Sequence, residues 1–110
     1  MYARVIEWDG VTAAEIDRDL AYTRTEVVPQ VEDIPGMCGM LVLVDREHGR
    51  STSITLYDDH AALEESRDTA AMLRQMVEQR MDLRCPPAVR EVEVGIATLT
   101  ASSLGLPLPV

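Results

Sequence analysis

Phenylalanine and lysine are both missing from this 110-residue chain, which carries one Trp, three Tyr and two Cys. Without Phe the interior must be filled by Val, Leu, Ile, Met and Ala. Without Lys, all ten cationic side chains are Arg, set against 19 Asp and Glu for a formal net charge of −9. Phosphate binding needs a basic footprint that such a chain supplies only locally, so neither nucleic acid nor an anionic membrane is an expected partner. Cys38 and Cys85 belong to no C-x-x-C pair, and free thiols in a reducing compartment are expected. Neither His48 nor His60 has a second His or Cys at ligand spacing, so no metal site is expected. Apolar runs stay well short of the roughly 18 to 20 residues of a membrane span. The opening MYARVIEWDG has no basic stretch leading into an apolar one, and a cytoplasmic location is the expectation.

What remains has the make-up of one globular domain, 46% hydrophobic and 26% charged. Tyr2 to Trp8 reads as a strand closed by the Asp9-Gly10 turn. Thr12-Ala13-Ala14-Glu15 is a capping box that opens a helix with an apolar stripe of Ile16, Leu20, Thr23, Val27 and Val31. Pro29 should kink or end that helix near Val27 and Val28. After the Ile34-Pro35-Gly36 turn, Met37 to Arg46 forms a second strand, apolar on consecutive residues and so covered on both faces. Glu47 to Arg50 is a hairpin with Gly49 at positive φ, and Ser51 to Asp58 alternates as a third strand. Asp58 or Asp59 caps a second helix whose stripe is Leu63, Ser66, Ala70, Leu73 and Val77. Cys85-Pro86-Pro87 stops it, and Val89 to Leu99 is a fourth strand.

Strand, helix, hairpin, helix, strand is the order of a ferredoxin-like α+β sandwich with a four-stranded antiparallel sheet ordered 4-1-3-2. Residues 1–99 form this domain, and 100–110 a Leu/Pro-containing tail with no place in it. Alternation is expected to set Ala3, Val5, Ile54, Leu56, Val92, Val94 and Ile96 beneath the helices. Tyr2, Ile6, Trp8 and Tyr57 would then lie on the helix-free face, with alternate residues of the second strand. So large an apolar face asks for a partner surface, and a homodimer closed face to face into an α/β barrel supplies one.

Three segments carry a further likeness: Ile34-Pro35-Gly36-Met37, the strand and hairpin LVLVDREHGRS, and the strand-to-helix passage SITLYDDHAALEES. On these the chain resembles the dimeric α/β barrel superfamily, and within it the antibiotic biosynthesis monooxygenase-like proteins. The resemblance implies a homodimer with a pocket between sheet and helices. It also implies cofactor-independent oxygenation of a hydrophobic or aromatic small molecule, so that no cofactor is called for. The family's aromatic at the end of strand three falls on Tyr57. Ser66 stands where a His is expected, and the first strand has Glu7 and Trp8 near the place of a family Asn, which argues against haem degradation.

Tyr57 and His60 are the catalytic candidates. His60, beside Asp58 and Asp59, could act as a general base or be merely an exposed first-turn residue. Pocket or interface candidates are Arg4, Trp8, Ser66, Met72 and Met76. Arg4, inside a strand, must be paired or reach solvent, and shares a face with Ser53, Thr55, Glu91 and Glu93. The alternative is a non-catalytic small-molecule-binding or dimeric assembly module. An isomerase or lyase of a related branch is not separable from the oxygenase by sequence.

Overall fold

A computed structural model describes residues 1–81 and 86–98. Cys85, residue 99 and the tail 100–110 lie outside the described residues. The strands are β1 (Tyr2–Asp9), β2 (Met37–Asp45), β3 (Arg50–Tyr57) and β4 (Ala88–Glu93). The helices are α1 (Ala13–Tyr22), α2 (Val28–Glu32), α3 (His60–Glu65) and α4 (Arg67–Glu78). All pairings are antiparallel, in the order β2-β3-β1-β4. This is the ferredoxin-like sheet expected from the element order, read from its other edge.

The chain from α1 to α2 is one continuous helical path. Thr12 accepts the Glu15 N–H on its side chain, and the Thr12 hydroxyl donates to the Glu15 carboxylate at 2.9 Å. Of the two outcomes expected at Pro29, a kink or an end, the helix does not end; it runs on to Val31 through a distorted turn. A π-helical turn, Thr23–Val27, precedes Pro29, and the Val28 N–H donates to the Thr23 carbonyl five residues back. Pro29 has no N–H for an α-type bond to Thr25 and its ring crowds that carbonyl; the widened turn accommodates both. The stripe therefore carries on, with Ile16, Val27 and Val31 buried.

The second helical segment breaks at Ser66, between α3 and α4. Asp59 is its cap, accepting the Ala62 N–H at 2.8 Å. Gly36 brings the β2 entrance against α3. It has φ +79°, and a Cβ there would collide with the Ala62 Cβ. Gly49, at φ +65°, lies against the Val11 backbone, whose N–H it receives at 2.9 Å.

The structure reverses the assignment of faces. Ile6, Trp8 and Tyr57 are buried in the core with Ile16, Val27, Leu63, Leu73 and Val77 of the helices. Tyr2 and Arg4 share their face, since Tyr2 pairs with Tyr57 and Arg4 with Thr55. Ala3, Val5, Ile54, Leu56 and Val92 instead make up the helix-free face, together with Leu41 and Leu43. Alternation separates two sets of residues but does not say which set points inward. β4 is also shorter than expected: its ladder closes with the Val94 N–H on the Met1 carbonyl, where β1 begins, and Ile96 beyond it is 91% exposed. In β2 a bulge between Met37 and Gly39 lets Met37, Met40 and Val42 all face the helices.

Candidate functional site

A cavity opens between the helix-covered face of the sheet and the two helical segments. β1 supplies Arg4, Ile6 and Trp8, β3 supplies Ser51, Ser53, Thr55 and Tyr57, and β2 adds Met40 and Val42. The first helical path closes one side with Ile16, Asp19, Leu20, Thr23, Val27 and Val31; α4 closes the other with Ala70, Leu73, Arg74 and Val77. The cavity volume is about 80 Å³, less than the few hundred Å³ needed to enclose a whole ring ligand, and the cavity opens to solvent at its mouth. The π turn lies along this wall and sets Thr23 and Val27 into it, a placement common for π turns at functional sites.

Arg4 organises the floor at one end. Only 3% exposed, it donates from Nη1 to the Tyr57 hydroxyl at 2.8 Å and to Ser66 Oγ at 3.0 Å. Its Nη2 donates to the Leu63 carbonyl at 3.1 Å and to Glu91 Oε2 at 2.9 Å. Ser66 Oγ in turn donates to the Leu63 carbonyl at 2.7 Å. Arg67 grips the other side of Glu91, with Nη2 at 2.7 Å from Oε1. Hydrogen bonding from Arg67 holds the Glu91 carboxyl below the usual carboxylate range; burial opposes this and Arg4 adds to it. A buried charge needs this density of partners; Arg4 is paired with Glu91, on the helix-covered face of the sheet and not at the helix-free face where a dimer contact was expected. Because the Tyr57 hydroxyl accepts from Arg4, its own proton is left to donate elsewhere.

Asp19 has no such support. Among the described residues neither of its buried carboxylate oxygens has a hydrogen-bond partner, and Arg18 Nε stands 3.9 Å away. Burial raises its pKa above the ordinary Asp value, opposed by Arg18 and Arg80 and reinforced by Glu15. The Trp8 Nε1–H is likewise buried without an acceptor. Nothing in the helical spacing singled out Asp19; an acidic residue directly before the stripe residue Leu20 was the only signal.

A raised carboxylate fixes the sign of a pH effect. Between its unfolded and folded pKa the folded state binds more protons, so native Asp19 loses stability as pH rises through that window. Asp19→Asn is therefore expected to raise Tm at pH 7 relative to the parent chain, with the gap closing below the unfolded pKa. Thermal melts at pH 7 and pH 3 check this; an equal gap at both removes the explanation by buried charge.

The structure brings Arg4, Trp8 and Tyr57 together on the cavity wall. Ser66 is buried behind Tyr57 as a partner of Arg4 and does not line the cavity. Met76 packs half-buried against the core, while Met72 is 50% exposed on the outside of α4. His60 is exposed too, with Nδ1 2.7 Å from Glu64 and its ring edge-on to Tyr2 at 5.1 Å, apart from the cavity wall. His48 faces solvent, paired with Asp45 at 2.8 Å. Among the described residues no helix is long and apolar enough to cross a membrane.

Comparison with known proteins places this architecture. No family model matches the sequence. Two proteins of Mycobacterium tuberculosis are similar in sequence. Uncharacterized protein Rv2557 is 36% identical over 67 residues, 61% of this chain and 30% of that protein. Uncharacterized protein Rv2558 is 30% identical over 98 residues, 88% of this chain and 41% of that protein. The chain thus spans well under half the length of these relatives.

Its structural neighbours are antibiotic biosynthesis monooxygenase and dimeric ferredoxin-like proteins. A Streptomyces coelicolor monooxygenase in complex with Nanaomycin D aligns with TM-score 0.72 at 14% identity, covering 91% of this chain and 92% of that one. SnoaB, a cofactor-independent oxygenase of Streptomyces nogalater, aligns with TM-score 0.64 at 13% identity over 87% and 94%. A dimeric ferredoxin-like protein from an uncultured marine organism aligns with TM-score 0.64 at 10% identity over 91% and 92%. At these identities the shared property is the fold.

Proposed function

We propose that this protein is a cytoplasmic homodimer that takes one end of a flat, hydrophobic aromatic small molecule into the cavity between its sheet and helices, the rest lying in the open mouth, and oxidises it with dioxygen, without a cofactor. The observation that carries this reading is the inverted sheet: β3 turns Ser53, Thr55 and Tyr57 toward the helices and Ile54 and Leu56 away from them. A sheet face meant only for packing would carry the apolar set inward. Hydroxyl groups dispersed in an otherwise apolar wall suit a ligand that is greasy over its surface and polar at a few points. The neighbours described as oxygenases add a fold analogy.

The chemistry balances without a bound group when the substrate carries an acidic ring CH2. Loss of a proton to solvent at the open mouth leaves a carbanion that reduces dioxygen; the peroxide anion regains a proton, and the resulting hydroperoxide loses water, so that CH2 and O2 become C=O and H2O. In this reading Tyr57, whose hydroxyl accepts from Arg4, donates its own proton to an oxygen on the ring system as charge develops there.

The position of His60 favours a second reading. One of the two catalytic candidates lies outside the cavity, which suits a non-catalytic binding module. Oxygen uptake with a tricyclic anthrone, compared with an Ala70→Trp variant that fills the cavity, separates the two. The oxygenase reading expects one O2 consumed per ketone formed and a drop of about tenfold or more in the variant. Binding of the anthrone with no uptake above background leaves the binding module.

A further inference from the structure

The cavity holds two polar groups that the protein itself leaves unanswered. Among the described residues, the Nε1–H of Trp8, 6% exposed, has no acceptor, and neither carboxylate oxygen of Asp19, 13% of whose side chain is exposed, has a donor. Each buried orphan forfeits the hydrogen bond that it makes to water in the unfolded chain. Both line one cavity, and they are of opposite hydrogen-bonding sense.

Among the described residues no cation donates a hydrogen bond to Asp19. Arg4 spends its donors on Tyr57, Ser66, Leu63 and Glu91. Arg74 lies 3.4 Å from Glu78 one turn along its own helix, and Arg18 is mostly in solvent. Arg80 stacks its guanidinium on Tyr22, 3.8 Å from the ring centroid, and Glu15 adds a second negative charge one turn back.

We propose that Asp19 and Trp8 are ligand-recognition residues: Asp19 accepts a hydrogen bond from a hydroxyl or ammonium donor on a flat ring ligand, and Trp8 Nε1–H donates to a ligand oxygen. This rests on the reading that the cavity takes an aromatic molecule, and fixes what that molecule must carry. A ligand that brings its own carboxylate to Asp19 is disfavoured, because among the described residues the cations near it, Arg18 and Arg80, are largely in solvent or stacked on Tyr22 and Glu15 already adds a second negative charge.

The chain's one Trp gives one indole N–H resonance, so NMR titration reads this wall directly, with affinities from calorimetry. The probes are 2-naphthol, 2-methoxynaphthalene, 2-naphthylmethylammonium and 2-naphthoate. In the parent protein, naphthol is expected to bind about tenfold more tightly than its methyl ether, which lacks the donor, with naphthoate weakest and the indole resonance shifting. A still tighter ammonium probe also supports the role of Asp19 and assigns the donor to an amine.

Asp19→Leu is expected to bring the ratio of naphthol to methyl ether to about one while keeping the affinity for the ether. Should that variant not fold, Asp19→Asn decides: a neutral acceptor should cut the ratio at least about threefold, since charge-assisted bonds are about twice as strong. Rings that bind with an unchanged ratio in the variant, or naphthoate binding as tightly as naphthol, overturn the role of Asp19 and leave the pocket standing. No binding and no indole shift with any ring in any form overturns the pocket and this inference together.

Discussion

An Arg4→Met variant is expected to lose about 3 to 5 kcal/mol of unfolding free energy, read from the shift of its urea midpoint at unchanged slope. Met roughly fills the space but donates nothing, and four acceptors lose a partner at once: the Tyr57 hydroxyl, Ser66 Oγ, the Leu63 carbonyl and Glu91. Ser66 and Leu63 keep the 2.7 Å bond between them, and Glu91 keeps Arg67, so the loss falls mainly on Tyr57 and on the buried end of Glu91. Arg67→Met removes the exposed side of the same cluster and should cost far less, because that guanidinium is half in solvent.

The pH dependence separates charge from packing. Glu91 is held below its unfolded pKa, so its contribution is present above that unfolded value and disappears as pH falls through the folded one. The penalty of Arg4→Met should therefore shrink in acid. If it stays constant on acid titration down to the limit of the native state, or is smaller than that of Arg67→Met, Arg4 acts as a spacer and the ionic account fails.

Much of this architecture could be read from the chain because it rests on local signals. Thr12 and Asp59 start helices with side chains that reach nearby backbone N–H groups, and the β-hairpin turns at a glycine of positive φ. The helical stripes show as well, since Ile16, Val27 and Val31, then Leu63, Ser66, Leu73 and Val77, are all buried. What failed needed global information. Putting the apolar residues of β3 under the helices assumes that the inward face is the greasy one. Here the inward face carries Ser53, Thr55 and the Arg4 to Tyr57 contact because it also walls a cavity.

The π turn escaped detection for a related reason. A proline in a helical pattern announces a defect but not its form, and the neighbouring packing at Val27 and Val31 keeps the path helical. Asp19 was invisible because an acidic residue on a helix is ordinarily solvated. Only the position of Trp8, Arg80 and the sheet reveals that this one is not.

Reversing the faces leaves the argument for a dimer intact while changing the residues that carry it. Leu41, Leu43 and Val92 are 40%, 52% and 40% exposed on the helix-free side, and Val5, Ile54 and Leu56 continue the same surface across the sheet. Burying that surface against a second copy is the reading we favour, and Leu41→Asp tests it. In a two-fold contact each substitution is met twice, so two unpaired carboxylates enter one interface and dimer affinity should fall by about a thousandfold or more. Sedimentation should then pass from twice 12.2 kDa to 12.2 kDa. Met72→Asp supplies the contrast, because Met72 is equally open to solvent but sits on the outside of α4. A sheet-to-sheet dimer should ignore it. Dissociation by Met72→Asp with Leu41→Asp still paired would move the contact to the helices, and a parent protein sedimenting at 12.2 kDa at high concentration would leave the apolar sheet face needing some other cover.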